Sequence, residues 1–265
     1  MLTLIIASAC AGLLAGVIAG LFGVGGGIIL VPTLLLLFVW HGVDATVVMQ
    51  MAVATSLATI IVTNLSATWH HHKRNAVLWP MVRWFAPGLL LGAWSGAWLA
   101  AWMEGDQLRM LFGLFEVLVG IKMLTAKKDG GGVGHHWPRW SRPVMGGLIG
   151  GISSLFGIGG GTLSVPTLSL LFDLPMQRAV ATSSAMGLVL ALFGTVGFVQ
   201  AGQGVANLPP WGVGFIAWPV FLSIIAATLI TTPFGVKLAH GMDAVKLKKG
   251  FGLFLLLVGI KLVLG

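Results

Sequence analysis

The run Leu21-Phe22-Gly23-Val24-Gly25-Gly26-Gly27 stands five residues before Pro32-Thr33, and returns as Leu155-Phe156-Gly157-Ile158-Gly159-Gly160-Gly161, five residues before Pro166-Thr167. Both copies interrupt long apolar segments, and that combination leaves a chain few folds. In hydrocarbon, a glycine-rich break frees backbone N–H and C=O groups, which are tolerated only where protein buries them or where they line a solute cavity. Matched breaks in two halves of one chain point to a solute-binding site.

That these segments belong in a membrane follows from 57% hydrophobic and only 8% charged residues, a balance that cannot clothe a soluble domain. At about 20 apolar residues per span, the chain has room for roughly eight helical elements joined by short loops. The formal charge of +8 does not indicate nucleic acid, because the basic residues sit in short loops beside apolar segments, where they set topology. The single cysteine, Cys10, excludes an internal disulfide and any multi-cysteine metal site. Ala7-Ser8-Ala9-Cys10 faintly suggests a lipoprotein cleavage site, but the apolar run continues past it and is read as the first membrane element.

Two further blocks repeat in the same order. Met49 to Ser56 matches Met176 to Ser183 at seven of eight positions, and Phe112-Gly113-Leu114-Phe115 followed by Val119-Gly120-Ile121-Lys122 matches Phe251-Gly252-Leu253-Phe254 followed by Val258-Gly259-Ile260-Lys261. The expected organisation is a first transmembrane repeat over 1–125, a linker over 126–142 and a second repeat over 143–265. The fold class is an all-α polytopic membrane protein. Each repeat reads as a glycine-broken helix followed by three transmembrane helices: 3–39, 44–70, 77–103 and 107–125, then 143–172, 176–200, 211–239 and 243–264. The pieces after the glycines, 28–39 and 162–172, rise only about 16–18 Å as helix, half a membrane.

Each broken element either crosses the bilayer or turns back as a re-entrant hairpin, and the basic loops weigh on the choice. If both turn back, the second repeat is inverted, and Lys73, Arg74, Arg83, Lys127, Lys128, Arg139, Arg142, Arg178, Lys237, Lys246, Lys248 and Lys249 share one side. If both cross, Lys73 and Arg74 lie opposite Lys237, Lys246, Lys248 and Lys249, against the positive-inside rule. The inverted arrangement is favoured; the eight-crossing alternative stays open because residues 4–22 suffice to span.

A half-helix starting inside the membrane aims unpaired N–H groups and its positive dipole end at the cavity, which favours an anion. Gly25, Gly26 and Gly27, with Gly159, Gly160 and Gly161, are the candidate backbone donors; the competing reading is close helix packing. Gln50, Thr55 and Ser56, with Gln177, Thr182 and Ser183, are candidate side-chain donors, against the alternative that each hydroxyl bonds its own helix. Asn64 is a further candidate, asymmetric because Ala191 matches it. Glu116, matched by Leu255 in mid-helix, is a candidate proton-coupling group or a buried neutral acid. Lys122 and Lys261 are expected to snorkel. His70-His71-His72 reads as an interfacial basic loop and no metal site is expected. Trp94 and Trp98, one turn apart, face lipid or a cavity.

The glycine loops, the Pro-Thr that follows them and the Ala-Thr-Ser blocks resemble the TauE/SafE family of sulfite and organosulfonate exporters over essentially the whole chain. The family pattern falls on Gly23 to Gly27, Pro32, Thr55 and Ser56, and on Gly157 to Gly161, Pro166, Thr182 and Ser183. The resemblance implies a multi-pass protein of the bacterial inner membrane that transports a small sulfur-containing anion. The expected partners are that anion, the bilayer and a coupling ion, proton or sodium, with no cofactor and no nucleic acid. A passive anion channel and a carboxylate permease are the alternatives; a membrane-embedded enzyme lacks a nucleophile, base and orienter in reach of one another.

Overall fold

A computed structural model describes residues 2–22, 26–125, 138, 140–241 and 244–264. Its helices in chain order are α1 (Leu2–Phe22), α2 (Gly27–Trp40), α3 (Val48–Lys73), α4 (Trp79–Trp102), α5 (Gly105–Thr125), α6 (Ser141–Leu155), α7 (Gly161–Pro166), α8 (Met176–Ala201), α9 (Trp218–Gly241) and α10 (Ala244–Leu264). α7 runs on as a π-helical segment, Thr167–Leu171. Gly25 and most of the expected linker lie outside the described residues.

The all-α expectation holds, with one local difference. The run 211–217 was expected to open the helix that follows it, but it forms a small antiparallel hairpin of β1 (Gly212–Val213) and β2 (Ile216–Ala217). Its apolar residues satisfy a helical hydropathy pattern, yet Gly214 turns the backbone at φ +55°, packed against the Val199 carbonyl and Gly202. A β-branched or bulky residue could not hold that turn.

The outer surface is apolar: Leu118 is 67% exposed, Leu148 62% and Leu222 60%. Large apolar side chains exposed on this scale need lipid rather than water against them. α3 and α8 are each long and apolar enough to cross a membrane, and both are mostly enclosed by the other helices. At 26 residues each, they span about 39 Å.

Equivalent elements of the two halves pack reciprocally. α5 and α10 run antiparallel: Gly113 lies against the Gly259 carbonyl, Gly259 against that of Gly113, and Gly120 and Gly252 against one another in the same way. α3 and α8 are likewise antiparallel, with Leu57 against Gly194 and Asn64 against Gly187. α4 packs alongside α6, while α9 packs alongside α1. Gly88, Gly92 and Gly96, one per turn of α4, meet the carbonyls of Pro143, Gly147 and Gly151 on α6, leaving no room for any side chain at those positions. Backbone contact of this closeness maximises dispersion where lipid offers no hydrophobic drive between helices. On the α1 side, the Ser8 and Ser223 hydroxyls bond at 2.7 Å and Gly12 fits against Ala227.

Candidate substrate site at the helix breaks

Each glycine loop ends in the same backbone device. Gly26 (φ 74°) and Gly160 (φ 73°) precede α2 and α7 in the left-handed region, where a Cβ would be strained. Each carbonyl then accepts the first bonds of its helix: Gly26 from the N–H groups of Ile29 and Leu30, Gly160 from those of Leu163 and Ser164. Neither helix start has a side-chain cap. α2 is 14 residues long, about 21 Å, somewhat longer than the expected 16–18 Å but still short of a full span of about 30 Å.

The breaks come together at the mid-length of α3. A Cβ on Gly27 would meet the Gly157 carbonyl at 2.5 Å and Ile60 Cδ1 at 2.7 Å; one on Gly157 would meet the Val53 carbonyl at 2.8 Å, and one on Gly159 would meet Ile60 Cγ2 at 2.9 Å. Ser56 Oγ, fully buried, donates to the Gly157 carbonyl at 3.0 Å and lies 3.5 Å from that of Gly27. Gly159 and Gly160 also lie against Gly187, near the middle of α8.

The other candidates are distributed unevenly. Thr55 and Thr182 make a matched pair of links between the halves. The Ala217 N–H, at the start of α9, donates to Thr55 Oγ1 at 3.0 Å, and the Leu78 N–H, at the start of α4, donates to Thr182 Oγ1 at 3.1 Å. Ser183 is buried beside Thr182, and Gly161 opens α7. Gln50 is buried in the first turn of α3, where its Nε2 donates to the Met103 carbonyl at 2.8 Å; Gln177 is exposed in the first turn of α8. The fold therefore does not bring either glutamine to the breaks. Asn64 is 5% exposed, its amide set against Gly159 and Gly187 with Nδ2 unpartnered.

Ser153, Ser154 and Thr162 were not singled out from the sequence. The two serines end α6 fully buried, and all three hydroxyls lack a partner. Their signal was a departure from the repeat: the matched positions are Ala19, Gly20 and Ile28.

Glu116 is fully buried, and neither carboxyl oxygen has a partner. It lies between Gly113 and Gly120 on the face of α5 that packs against α10. The preceding residue, Phe115, stacks on Phe156 of the second loop at 4.8 Å, and Phe112 meets the same ring edge-on at 6.0 Å. Trp94, Trp98 and Trp102 line a groove of about 790 Å³ between α4 and α6, facing Leu148, Ile152 and Phe156. At the loop after α3, Trp79 Nε1 donates to His72 Nδ1 at 3.2 Å. Among the described residues no group of His, Cys, Asp and Glu could hold a metal ion.

The profile of the sulfite exporter TauE/SafE family matches residues 8–262. A probable membrane transporter protein of Haemophilus influenzae is 35% identical over 266 residues, covering all of both chains. The probable membrane transporter protein YunE of Bacillus subtilis is 27% identical, covering 95% of this chain and 94% of its own. The probable membrane transporter protein MJ0441 of Methanocaldococcus jannaschii is 25% identical, covering 86% and 83%. No solved structure matches significantly. With buried half-helices meeting in a lipid-facing bundle, and a family match over nearly its full length, the chain belongs to the sulfite exporter TauE/SafE family of membrane transporters.

Proposed function

We propose that this protein is a secondary transporter that moves a small sulfur-containing anion, such as sulfite or an organosulfonate, by alternating access between two inverted repeats. The observation that carries the reading is the meeting of both glycine breaks halfway along α3, where Gly27 rests on Gly157. Uncapped helix starts at that depth present N–H donors where no water competes, and favour a negatively charged solute. Inversion is supported by the antiparallel, reciprocal contacts of α5 with α10 and of α3 with α8. Equivalent helices that pack antiparallel are related by an axis perpendicular to their length, which for spanning helices lies in the membrane plane.

Rocking of one repeat against the other then exposes the site to each side in turn. The backbone and side-chain donors assigned to the site are Gly25 to Gly27, Asn64, Gly159 to Gly161 and Ser183, with Thr55, Ser56 and Thr182 holding the surrounding elements together. Glu116 is the proposed proton-coupling group, placed one residue from the ring stack that touches the second loop.

Reconstituted protein in liposomes tests the reading. Saturable uptake of radiolabelled sulfite or a sulfonate is expected. Gly160→Val, which forces a β-branched residue into a left-handed backbone, is expected to lower uptake more than tenfold in protein that still inserts. Normal uptake by this variant, or ohmic conductance in place of saturation, overturns the carrier mechanism.

A further inference from the structure

We infer that the bodies that rock are repeats that have exchanged one helix: α9 moves with α1, α2 and α3, and α4 moves with α6, α7 and α8. The inference rests on the transporter reading above and redraws its moving parts.

Chain order makes α4 the neighbour of α3, yet among the described residues α4 packs against α6 and α8 and scarcely touches α3. α9 likewise packs against α1 and α3, in the other repeat. Both exchanged contacts are made backbone to backbone. Gly88, Gly92 and Gly96 of α4 are answered by Gly146 and Gly150 of α6, which lie against the carbonyls of Phe85 and Leu89. On the other side, Gly12 and Gly16 of α1 lie against the backbone of Ile224 and Thr228 on α9. Helices in such contact cannot shift past one another without losing close packing along their length, so each pair travels as one piece.

Polar links follow the same division. Ser8 bonds Ser223, and the Ala217 N–H bonds Thr55, both inside the body built on α1 and α2. Inside the other body the Leu78 N–H bonds Thr182, and Trp94 Nε1 donates to Gln200 Oε1 at 2.9 Å. The Arg142 guanidinium of α6 also lies over the Phe172 ring at 5.7 Å, and that ring meets Phe85 of α4 at 5.6 Å. All four hydrogen bonds join residues of opposite repeats. Bodies divided along the sequence would have to strain every one of them, whereas the exchanged bodies keep them all.

The joint between the bodies is sparser. α3 crosses α8 where Leu57 meets Gly194 and where Asn64 meets Gly187, and Ser56 donates to the Gly157 carbonyl. Gln50 reaches the Met103 carbonyl in the turn that leaves α4. The candidate anion site lies on this joint. The chain passes directly from one body to the other over 74–78 and 202–217, where Asn75 (φ 53°), Gly204 (φ 76°), Asn207 (φ 66°) and Gly214 (φ 55°) take left-handed backbone. Loop positions of this kind absorb hinge rotation.

Uptake of radiolabelled sulfite by liposomes holding Cys10→Ala protein tests the division with cross-links. Ser8→Cys/Ser223→Cys staples α1 of the first repeat to α9 of the second, and Leu57→Cys/Gly194→Cys staples α3 to α8. On oxidation the Ser8→Cys/Ser223→Cys pair is expected to lose its free thiols and keep uptake within about twofold of the reduced form. The Leu57→Cys/Gly194→Cys pair is expected to lose at least about tenfold on oxidation and regain it on reduction. Trp94→Cys/Gln200→Cys, bridged by a bismaleimide, staples the other body, is expected to keep its uptake, and decides the matter if the serine pair does not fold. A reversible loss of uptake when Ser8→Cys/Ser223→Cys is oxidised, or no disulfide between them, overturns the inference and leaves the transporter reading standing. So does undiminished uptake by oxidised Leu57→Cys/Gly194→Cys. Absence of uptake in the wild type overturns both.

Discussion

Glu116 concentrates the chemistry at the residue scale. A fully buried carboxyl group on α5, with no partner for either oxygen, is a costly feature in a chain that puts Leu255 at the matched place. Charge at such depth is unfavourable by several kcal/mol unless paired, which is what the proposed proton-coupling role turns on. Glu116→Gln is expected to retain exchange of labelled for unlabelled anion across liposomes and to lose at least about tenfold in uptake driven by an imposed proton gradient. Unaltered gradient-driven uptake would remove the proton role. The position of this acid was legible in the sequence, since it interrupts an apolar helix. Its link to the second loop through Phe115 and Phe156 was not, because the two rings are 41 residues apart along the chain.

At the scale of elements, Thr55 and Thr182 show how one repeated pattern serves two halves. Each oxygen accepts from a backbone N–H just before a helix of the other repeat, where the first turn leaves donors unsatisfied. Removing either acceptor strands a backbone N–H, at a cost of about 1–2 kcal/mol. Thr55→Val and Thr182→Val are therefore expected to lower the unfolding midpoint in detergent by similar amounts, with Thr55→Ser restoring it; unequal losses would break the reciprocity. The α4–α6 contact is stricter. Gly92→Leu is expected to prevent recovery of folded protein, as judged by a monodisperse peak in gel filtration, because its side chain would occupy the space of the Gly147 carbonyl. Nothing in the local sequence of α4 names the helix that meets these glycines.

For the whole molecule, the exchange of partners, α4 with α6 and α9 with α1, ties the two halves into one bundle. The inverted arrangement makes a topological prediction. With Cys10 replaced by alanine, Arg74→Cys and Lys249→Cys are expected to react with a membrane-impermeant maleimide from the same side of the membrane, and Asp106→Cys from the opposite side. Labelling of Arg74→Cys and Lys249→Cys from opposite sides would establish the eight-crossing alternative. The positive-inside pattern motivates the first outcome, and the antiparallel packing of α5 with α10 agrees with it.

Hydropathy, helix breaks and internal repetition are local properties, and they determined the class of the protein, the place of its glycine breaks along the chain and the likeness in sequence between its two halves. They could not say which polar groups are spent on the fold and which are left over. Thr55 meets its partner 162 residues away and Ser56 meets the Gly157 carbonyl 101 residues away. Only the packing of helices decides whether a buried hydroxyl finds a carbonyl, a backbone N–H or nothing. Tertiary structure thereby separated the fastened Thr55 and Thr182 from the unsatisfied Ser154, Thr162 and Asn64. The physical reason is that a hydrogen bond across a bundle depends on the approach of two backbones, which no stretch of either helix encodes by itself.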